Sequence, residues 1–170
     1  MRQKNILISL LVVLVGIVIV VVVITKKNIP SDAGTVVVSD TTVPVLLFYP
    51  NTKTSAYTAD PCDAKSLSFI VRRISDTETV KKSIEELLKG GLTSDEKTAG
   101  FTTEFPNAGF KLVSAVQVGG QLTLTFQDSN FFTSGGSCRV GILRAEIEKT
   151  AMQFEGITSV KILPEELFQP

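Results

Sequence analysis

A short stretch, Thr133–Glu148 (TSGGSCRVGILRAEIE), combines residue types that take part in chemistry in many proteins. A loop of small residues leads into a cysteine and an arginine: Ser134, Gly135, Gly136, Ser137, Cys138 and Arg139. A thiol at the start of a helix and beside an arginine can act as a nucleophile. The unpaired N–H groups of a helix N-terminus can also bind an anion. Nucleophile, metal ligand, anion site and disulfide are therefore the four hypotheses for this stretch.

The rest of the chain supplies no partner for the first three chemistries. The sequence contains no histidine, so Cys138 lacks the general base that cysteine nucleophiles commonly use. A zinc site needs more ligands than two cysteines and scattered carboxylates, and no lysine completes a phosphate-loop motif. We expect no catalytic residue, no metal and no cofactor. Ser137 is expected to cap the following helix, and residues 134–139 remain a candidate binding loop.

A disulfide requires only Cys62 and Cys138, the two cysteines of the chain. Such bridges form in oxidising compartments and are rare in the cytosol. This bridge would close 76 residues of chain. Closure of such a loop stabilises a fold by about 4 to 5 kcal/mol in the chain-entropy model, before strain and residual unfolded structure reduce the value. We expect the bridge; two free buried thiols are the alternative.

An uncharged apolar segment, Ile6–Ile24, lies near the N-terminus. As a helix it would span roughly 28 Å, close to the thickness of a bilayer core. A cleaved signal peptide is the competing interpretation, but the run is long and ends in Thr25-Lys26-Lys27 without a small-residue cleavage site. We expect an uncleaved single-pass anchor. Because the flanking positive charges nearly balance, the cysteines decide the orientation, with the N-terminus inside and the C-terminal domain outside.

These features divide the chain into five parts: a cytoplasmic tail at 1–5, the transmembrane anchor at 6–24, a linker at 25–43, a folded extracytoplasmic domain at 44–164 and a C-terminal tail at 165–170. Four of the 17 basic residues flank the anchor and all 17 acidic residues follow it, so the remainder carries a net charge of −4. A nucleic-acid-binding domain usually has a basic patch. We therefore expect no nucleic-acid partner.

The part after the linker predicts five strands and two helices in the order β-β-α-β-β-α-β. Short apolar or alternating runs predict the strands, at 45–49, 67–74, 111–118, 121–126 and 160–163. Gly119-Gly120 supplies the turn of a hairpin. This order favours an α+β two-layer sandwich, in which two helices cover one face of a five-stranded mixed sheet.

Each predicted helix has a single apolar stripe. The stripe of the first helix contains Val80, Ile84, Leu87 and Leu88, and that of the second contains Val140, Leu143, Ile147, Ala151 and Phe154. Ser75 and Glu78 have the spacing of a capping box for the first helix. Gly90 and Gly156 are expected to end the two helices. Thr93–Lys97 predicts one further helical turn.

Three other groups of residues could form a site. Arg72-Arg73 could bind an anion or lipid headgroups, but we interpret the pair as a solvated strand edge that discourages sheet pairing. Nothing pairs Glu85-Glu86 or Glu165-Glu166 into a glycosidase-like couple. Five phenylalanines either fill the ends of the core, which we favour, or line a binding surface: Phe101, Phe105, Phe110, Phe131 and Phe132.

Several segments, taken in order, carry a family resemblance: VLLFYP at 45–50, IEELLKG at 84–90, TSDEKTAGF at 93–101, LTLTF at 122–126, GGSCR at 135–139 and VKI at 160–162. From about Pro44 to Leu163 the chain resembles the GerMN domain, the sporulation and spore-germination domain. The resemblance implies a membrane-tethered, extracytoplasmic bacterial domain with no accepted catalytic residues. The family occurs in a spore-germination lipoprotein and in an actinobacterial lipoprotein that works with a sensor kinase. Its architecture is similar to that of ring-building modules of envelope machines.

This chain departs from the pattern of the family in three ways. It has one copy of the domain, it has an apolar anchor in place of a lipidated cysteine, and nothing ties it to sporulation. We expect a non-enzymatic interaction or structural domain of the cell envelope that docks an unknown envelope protein or a second copy of itself. The sheet edge or the loops 128–137 and 93–109 would form the working surface. Binding of a cell-wall polymer or small ligand is the alternative, and an envelope enzyme is third.

Overall fold

The computed structural model describes residues 41–169, which form five strands, four α-helices and a 3-10 turn. The strands are β1 (Thr42–Pro50), β2 (Leu67–Ser75), β3 (Phe110–Val118), β4 (Gln121–Asp128) and β5 (Ser159–Leu163). The helices are α1 (Ser55–Ala59), α2 (Thr79–Lys89), α3 (Ser94–Thr98) and α4 (Ser137–Ala151), and the 3-10 turn is Ala64–Ser66. The predicted order of strands and long helices is confirmed. The predicted loop between β1 and β2 additionally contains α1 and the 3-10 turn.

The predicted anchor, Ile6–Ile24, lies outside the described residues, as does most of the predicted linker. Within residues 41–169, no helix is long and apolar enough to cross a membrane. The last two linker residues, Thr42 and Val43, belong to β1.

The strands form two sheets, which corrects the prediction of a single five-stranded sheet. β1 and β2 pair antiparallel, and their register places Leu46 opposite Val71 and Phe48 opposite Phe69. In the second sheet β4 is central, antiparallel to β3 and parallel to β5. The hairpin of β3 and β4 turns at Gly119-Gly120, as predicted, and Gly119 has the positive φ of 56° that such a turn requires.

The end of α4 explains why β1 pairs with only one strand. The side chain of Gln153 accepts a hydrogen bond from the N–H of Leu46 and donates one to the Leu46 carbonyl oxygen, both at 2.7 Å. The hydroxyl of Thr150 accepts a further hydrogen bond from the N–H of Phe48, at 3.2 Å. These side chains satisfy the backbone groups that a neighbouring strand would otherwise pair.

One hydrophobic core joins the two sheets and the two long helices. Helix α2 contacts β1, β2 and β3, and α4 contacts both β1 and α2. The most deeply buried side chains come from each of these layers: Val45, Leu47, Tyr49, Ile84, Leu87, Leu122, Leu124, Leu143 and Ile147. The two apolar stripes predicted from the sequence therefore face the same core.

The predicted N-terminal caps of both long helices are wrong. Helix α2 begins at Thr79, and Glu78 precedes it in the left-handed conformation with no side-chain cap. Ser75 instead ends β2. Helix α4 begins at Ser137 itself, after Gly136, so Ser137 is a residue of the first turn and not its cap. A complete capping box occurs at the short helix α3.

The sequence predicts the C-terminus of α2 correctly but places the C-terminus of α4 too far along the chain. Gly90 follows α2 in the left-handed conformation, as predicted, with φ of 61°. Helix α4 ends at Ala151, five residues before the predicted Gly156. Phe154 still packs against the core from the turn that follows.

The fold continues beyond Pro164, where the sequence pattern predicts its end. Leu167 and Phe168 are buried, at 9% and 5% exposure. The ring of Phe168 meets that of Phe110 edge-on, with 5.8 Å between centroids. The segment after β5 therefore contributes to the core.

Replacing Gln153 with alanine would leave the N–H and carbonyl of Leu46 without their partners. An unpaired buried polar group costs about 1–3 kcal/mol, and the Leu46 groups are partly buried, so we expect Gln153→Ala to lower the free energy of unfolding by about 1 kcal/mol. Urea denaturation of the full chain measures this loss. The matched control is Glu155→Ala, an exposed residue two positions later, which should change stability by less than about 0.5 kcal/mol. Equal stabilities of Gln153→Ala and wild type would contradict the proposed closure of β1.

Candidate functional site

The two cysteines meet at the N-terminal end of α4. Cys62 lies in the loop after α1, and Cys138 is the second residue of α4. The structure joins them in a disulfide with 4.9 Å between the Cα atoms. Both residues are exposed. The bridge therefore fastens the β1–β2 connection to the entry of the last long helix, and neither thiol is free to act as a nucleophile.

Arg139 holds together the loop that precedes α4. Its guanidinium donates hydrogen bonds to the carbonyl oxygens of Phe132 and Ser134, at 2.9 and 2.8 Å. It also lies over the ring of Phe132, 5.0 Å from the centroid. The guanidinium of Arg139 also forms a salt bridge with the carboxylate of Glu104, with 2.6 Å between Nη2 and Oε2. Arg139, which the sequence places in the candidate binding loop 134–139, therefore holds the segment before α4 in position.

The small residues of this loop are exposed and make few contacts. Ser134, Gly135, Gly136 and Ser137 all lie at the surface. Gly135 has a φ of 140°, a conformation that side chains rarely adopt, so glycine is needed there. The glycine-rich segment therefore makes the turn into α4.

A pocket of about 450 Å³ opens beside the disulfide. Much of its wall is apolar and comes from β1, the loop around α1 and helix α4: Pro50, Tyr57, Pro61, Ile142 and Leu143. The segment 102–104 lines another side, and Cys138 and Arg139 lie at the helix entry. Pockets of this size and composition commonly hold small molecules.

Glu146 of α4 also lines the pocket, and it is almost completely buried. The residue is 1% exposed, and its Oε2 atom has no hydrogen-bond partner. Burial raises the pKa of the Glu146 carboxyl well above its usual range, and the negative charge of Glu104 raises it further. A buried carboxyl without a partner is costly to keep, which makes Glu146 a candidate binding residue of this pocket.

Sequence inspection missed Glu146. It lies three residues after Leu143 and directly before Ile147, on the buried face of α4. The available signal is an acidic side chain within an apolar helical stripe, which is rare unless the charge is paired. The segment 102–104 belongs to the loop 93–109, a candidate working surface predicted from the sequence, but no sequence signal places it beside α4.

The other charged candidates form local ion pairs. Arg72 makes a bidentate pair with Glu96, at 2.6 and 2.7 Å, and its hydrogen bonds lower the pKa of Glu96 to about 2. Arg73 donates to the backbone carbonyl and the hydroxyl of Thr42. Glu85 and Glu86 pair with lysines of their own helix. Arg72 therefore fastens α3 to β2 and is not a solvated edge residue as the sequence predicts.

Most of the loop phenylalanines fill the core, as the sequence predicts. Phe105, Phe110 and Phe132 are buried, and Phe101 packs against the core. Phe131 is different, because it is 80% exposed and has a positive φ of 58°. Within residues 41–169, no group of three or more metal-binding side chains comes together.

The sequence matches the model of the Germane family, described as sporulation and spore germination, over residues 46–166. The chain belongs to this family. The predicted resemblance to the GerMN domain is thereby confirmed, and the match includes both cysteines and the whole of α4.

A solved structure is also similar to this chain: the tandem GerMN domains of the sporulation protein GerM from Bacillus subtilis. The sequence identity is 24% and the TM-score is 0.49. The match covers 80% of this chain and 44% of the tandem protein, so this chain spans less than half the length of that structure. No curated protein matches the sequence.

Removal of the disulfide tests how strongly it stabilises the domain. We expect the double variant Cys62→Ala/Cys138→Ala to lose up to about 4 kcal/mol of unfolding free energy, because its unfolded chain is no longer cross-linked. Denaturation of the full chain measures the loss. Ser137→Ala is the matched control, since Ser137 makes no capping hydrogen bond, and it should change stability by less than about 0.5 kcal/mol.

Mass spectrometry after alkylation checks the pairing itself. Without reduction, the natively produced protein should take up no alkylating reagent, and after reduction it should take up two equivalents. Two reactive thiols before reduction would contradict the bridge.

Proposed function

We propose that the chain is a non-enzymatic docking domain, tethered outside the cytoplasmic membrane by Ile6–Ile24. It binds an extended segment of another envelope protein by strand addition to β2. Membership of the Germane family and the lack of histidine in the chain support a binding function over a catalytic one. The open edge of β2 is the observation that carries the docking proposal.

The geometry of the β1–β2 pair leaves the outer edge of β2 open. Backbone groups in an antiparallel pair point alternately toward the partner strand and toward the opposite edge. Leu46 directs its N–H and carbonyl toward Gln153, away from β2, so Val71 opposite it directs its own groups away from β1. By the same alternation Phe69, opposite Phe48, points its groups outward. Among residues 41–169, the N–H groups of Phe69 and Val71 donate no backbone hydrogen bond outside the β1–β2 pair. The carbonyl oxygen of Val71 accepts a hydrogen bond from the guanidinium of Arg72 at 3.2 Å, so the outward N–H is the group at this position that a docking strand would pair.

The side chains at this edge suit an extended segment with a particular composition. Phe69 and Val71 are 52% and 53% exposed, and Phe69 meets Phe48 edge-on at 5.9 Å. Lys149 lies 5.7 Å from the centroid of Phe48, and Arg73 is exposed beyond Val71. The complementary strand therefore has apolar residues at alternate positions and an acidic residue near one end. Main-chain hydrogen bonds would provide affinity, and the alternate side chains would provide specificity.

Proline at position 71 tests strand addition directly. Val71→Pro removes an outward N–H that β1 does not use, and proline is tolerated on such an edge. We expect this variant to remain folded and to lose its envelope partner. Val71→Thr is the matched control, because it keeps the N–H and favours a strand. Cross-linking and affinity purification of the full-length protein from its own membranes compare the three proteins.

Recovery of the same partner proteins by Val71→Pro and wild type would show that the β2 edge is not the docking surface. Loss of the partner from Val71→Thr as well would assign binding to the side-chain face and not to the backbone edge.

The proposed tether makes a separate prediction. Because a hydrophobic span of this length inserts stably, the full-length protein should stay in the membrane during alkaline extraction. Its intact mass should include Met1 or Arg2, and protease added to intact protoplasts should digest a C-terminal tag. A mature N-terminus after Ile24, or release at alkaline pH, would refute the uncleaved anchor.

The pocket at Glu146 supports a second candidate function, in which the domain binds a cell-wall polymer or small ligand. Co-sedimentation with purified cell wall separates this function from protein docking. Sedimentation of Val71→Pro together with wild type would place wall binding away from the β2 edge.

A further inference from the structure

We propose that the pocket beside the disulfide binds a small organic cation, an amine on an apolar body, whose ammonium group pairs with Glu146. The inference does not depend on strand addition, because the pocket lining comes from α4, Gly136, the α1 loop, the segment 102–104 and Pro50 at the end of β1, and contains no residue of β2.

The first argument is the unsatisfied acceptor. Glu146 is 1% exposed, lines the pocket, and leaves its Oε2 atom without a hydrogen-bond donor. Buried polar side chains are nearly always paired, so an unpaired carboxyl on a residue that lines a pocket is a candidate partner for a ligand group. The missing group must donate hydrogen bonds, as an ammonium does.

The second argument is the charge of the pocket lining. Two carboxylates, Glu104 and Glu146, line the pocket together with a single cation, Arg139. The guanidinium of Arg139 is already bound to Glu104 and to two backbone carbonyl oxygens. The ionised form of Glu146 would therefore have no cation of its own within the lining. A ligand with one positive charge neutralises it, and a charge pair shielded from water is strong when it is fully hydrogen-bonded.

The third argument is the character of the walls. Tyr57, Ile142 and Leu143 contact whatever part of the ligand follows the charged group, together with Pro50 and Pro61. Apolar walls favour an aliphatic or aromatic body, and the ring of Tyr57 is also a favourable neighbour for a cation. A multiply charged ligand would lose much of its hydration against these apolar walls.

Binding of the cation should be coupled to release of a proton. Burial raises the pKa of Glu146 well above that of an ordinary glutamate, so without a ligand the protonated carboxyl is favoured. An ammonium group pairs with the ionised carboxylate. Affinity should therefore rise with pH until Glu146 is ionised without the ligand. The other titratable groups near it are Glu104, Arg139 and Tyr57 in the lining, and Tyr49 on β1, whose hydroxyl donates to the Leu87 carbonyl.

The test uses the full-length protein in phosphatidylcholine nanodiscs and four probes: butylamine, cyclohexylmethylamine, benzylamine and phenethylamine. Each amine is paired with its alcohol, which has the same body without the charge. Ligand-observed NMR titrations, corrected with empty nanodiscs, provide the dissociation constants. We expect at least one amine to bind about tenfold or more tightly than its alcohol, and more tightly near pH 8 than near pH 5.

Glu146→Gln keeps the shape of the side chain and removes its charge. It should lose about tenfold of the amine affinity, lose the pH dependence and leave alcohol binding unchanged. Glu148→Gln is the matched control on the same helix, since Glu148 pairs with Arg144 outside the pocket lining, and it should bind like wild type. Because Glu146→Gln removes a buried carboxyl, its melting temperature at neutral pH should equal or exceed that of wild type.

If Glu146→Gln proves less stable, Ile142→Trp provides an independent variant, which fills the pocket and leaves Glu146 in place. It should abolish the binding of amines and alcohols alike. The proposal is overturned if no amine of the set binds, if amines and alcohols bind equally, or if Glu146→Gln binds amines as wild type does.

Discussion

The hydrogen bonds between Gln153 and Leu46 close one edge of β1 and tie it to the turn after α4. One carboxamide satisfies both the N–H and the carbonyl of a strand residue, each at 2.7 Å. It thereby replaces the strand that β1 would otherwise need, and it separates the five strands into two sheets. The same contact sets the position of α4 against β1. The pocket, the disulfide and the buried Glu146 all depend on that position, because each uses a residue of α4.

The features that the sequence predicts are those governed by local pattern. The apolar stripes of α2 and α4, the Gly119-Gly120 turn and the left-handed Gly90 follow from periodicity and turn chemistry. The division into two sheets does not, because the group that closes β1 is a glutamine that lies 107 residues from Leu46. Local capping rules also fail to predict where α2 and α4 begin. Glu78 and Gly136 occupy the positions before α2 and α4, and neither makes the side-chain capping hydrogen bond on which the sequence rule depends.

The candidate site likewise contains a feature that the sequence predicts and a feature that it does not. The pairing of Cys62 with Cys138 can be inferred from the composition, because there is no other cysteine. The pocket cannot be inferred, because its lining combines residues from Pro50 to Glu146 that are adjacent only in the folded chain. Arg139 shows the difference clearly. The sequence places it in a candidate binding loop, while the fold commits its guanidinium to Glu104 and to the loop before α4.

The closed edge of β1 limits where further strands could pair with the β1–β2 sheet. A two-stranded sheet normally offers two edges, so it could join neighbours on both sides and propagate into a filament. Here Gln153 and Thr150 occupy one edge, and only β2 remains open. If β2 docks a partner by strand addition, as proposed, the sheet can grow only on its β2 side. Two copies meeting through β2 would form a closed pair, and a ring of copies would require a second, different surface on each subunit.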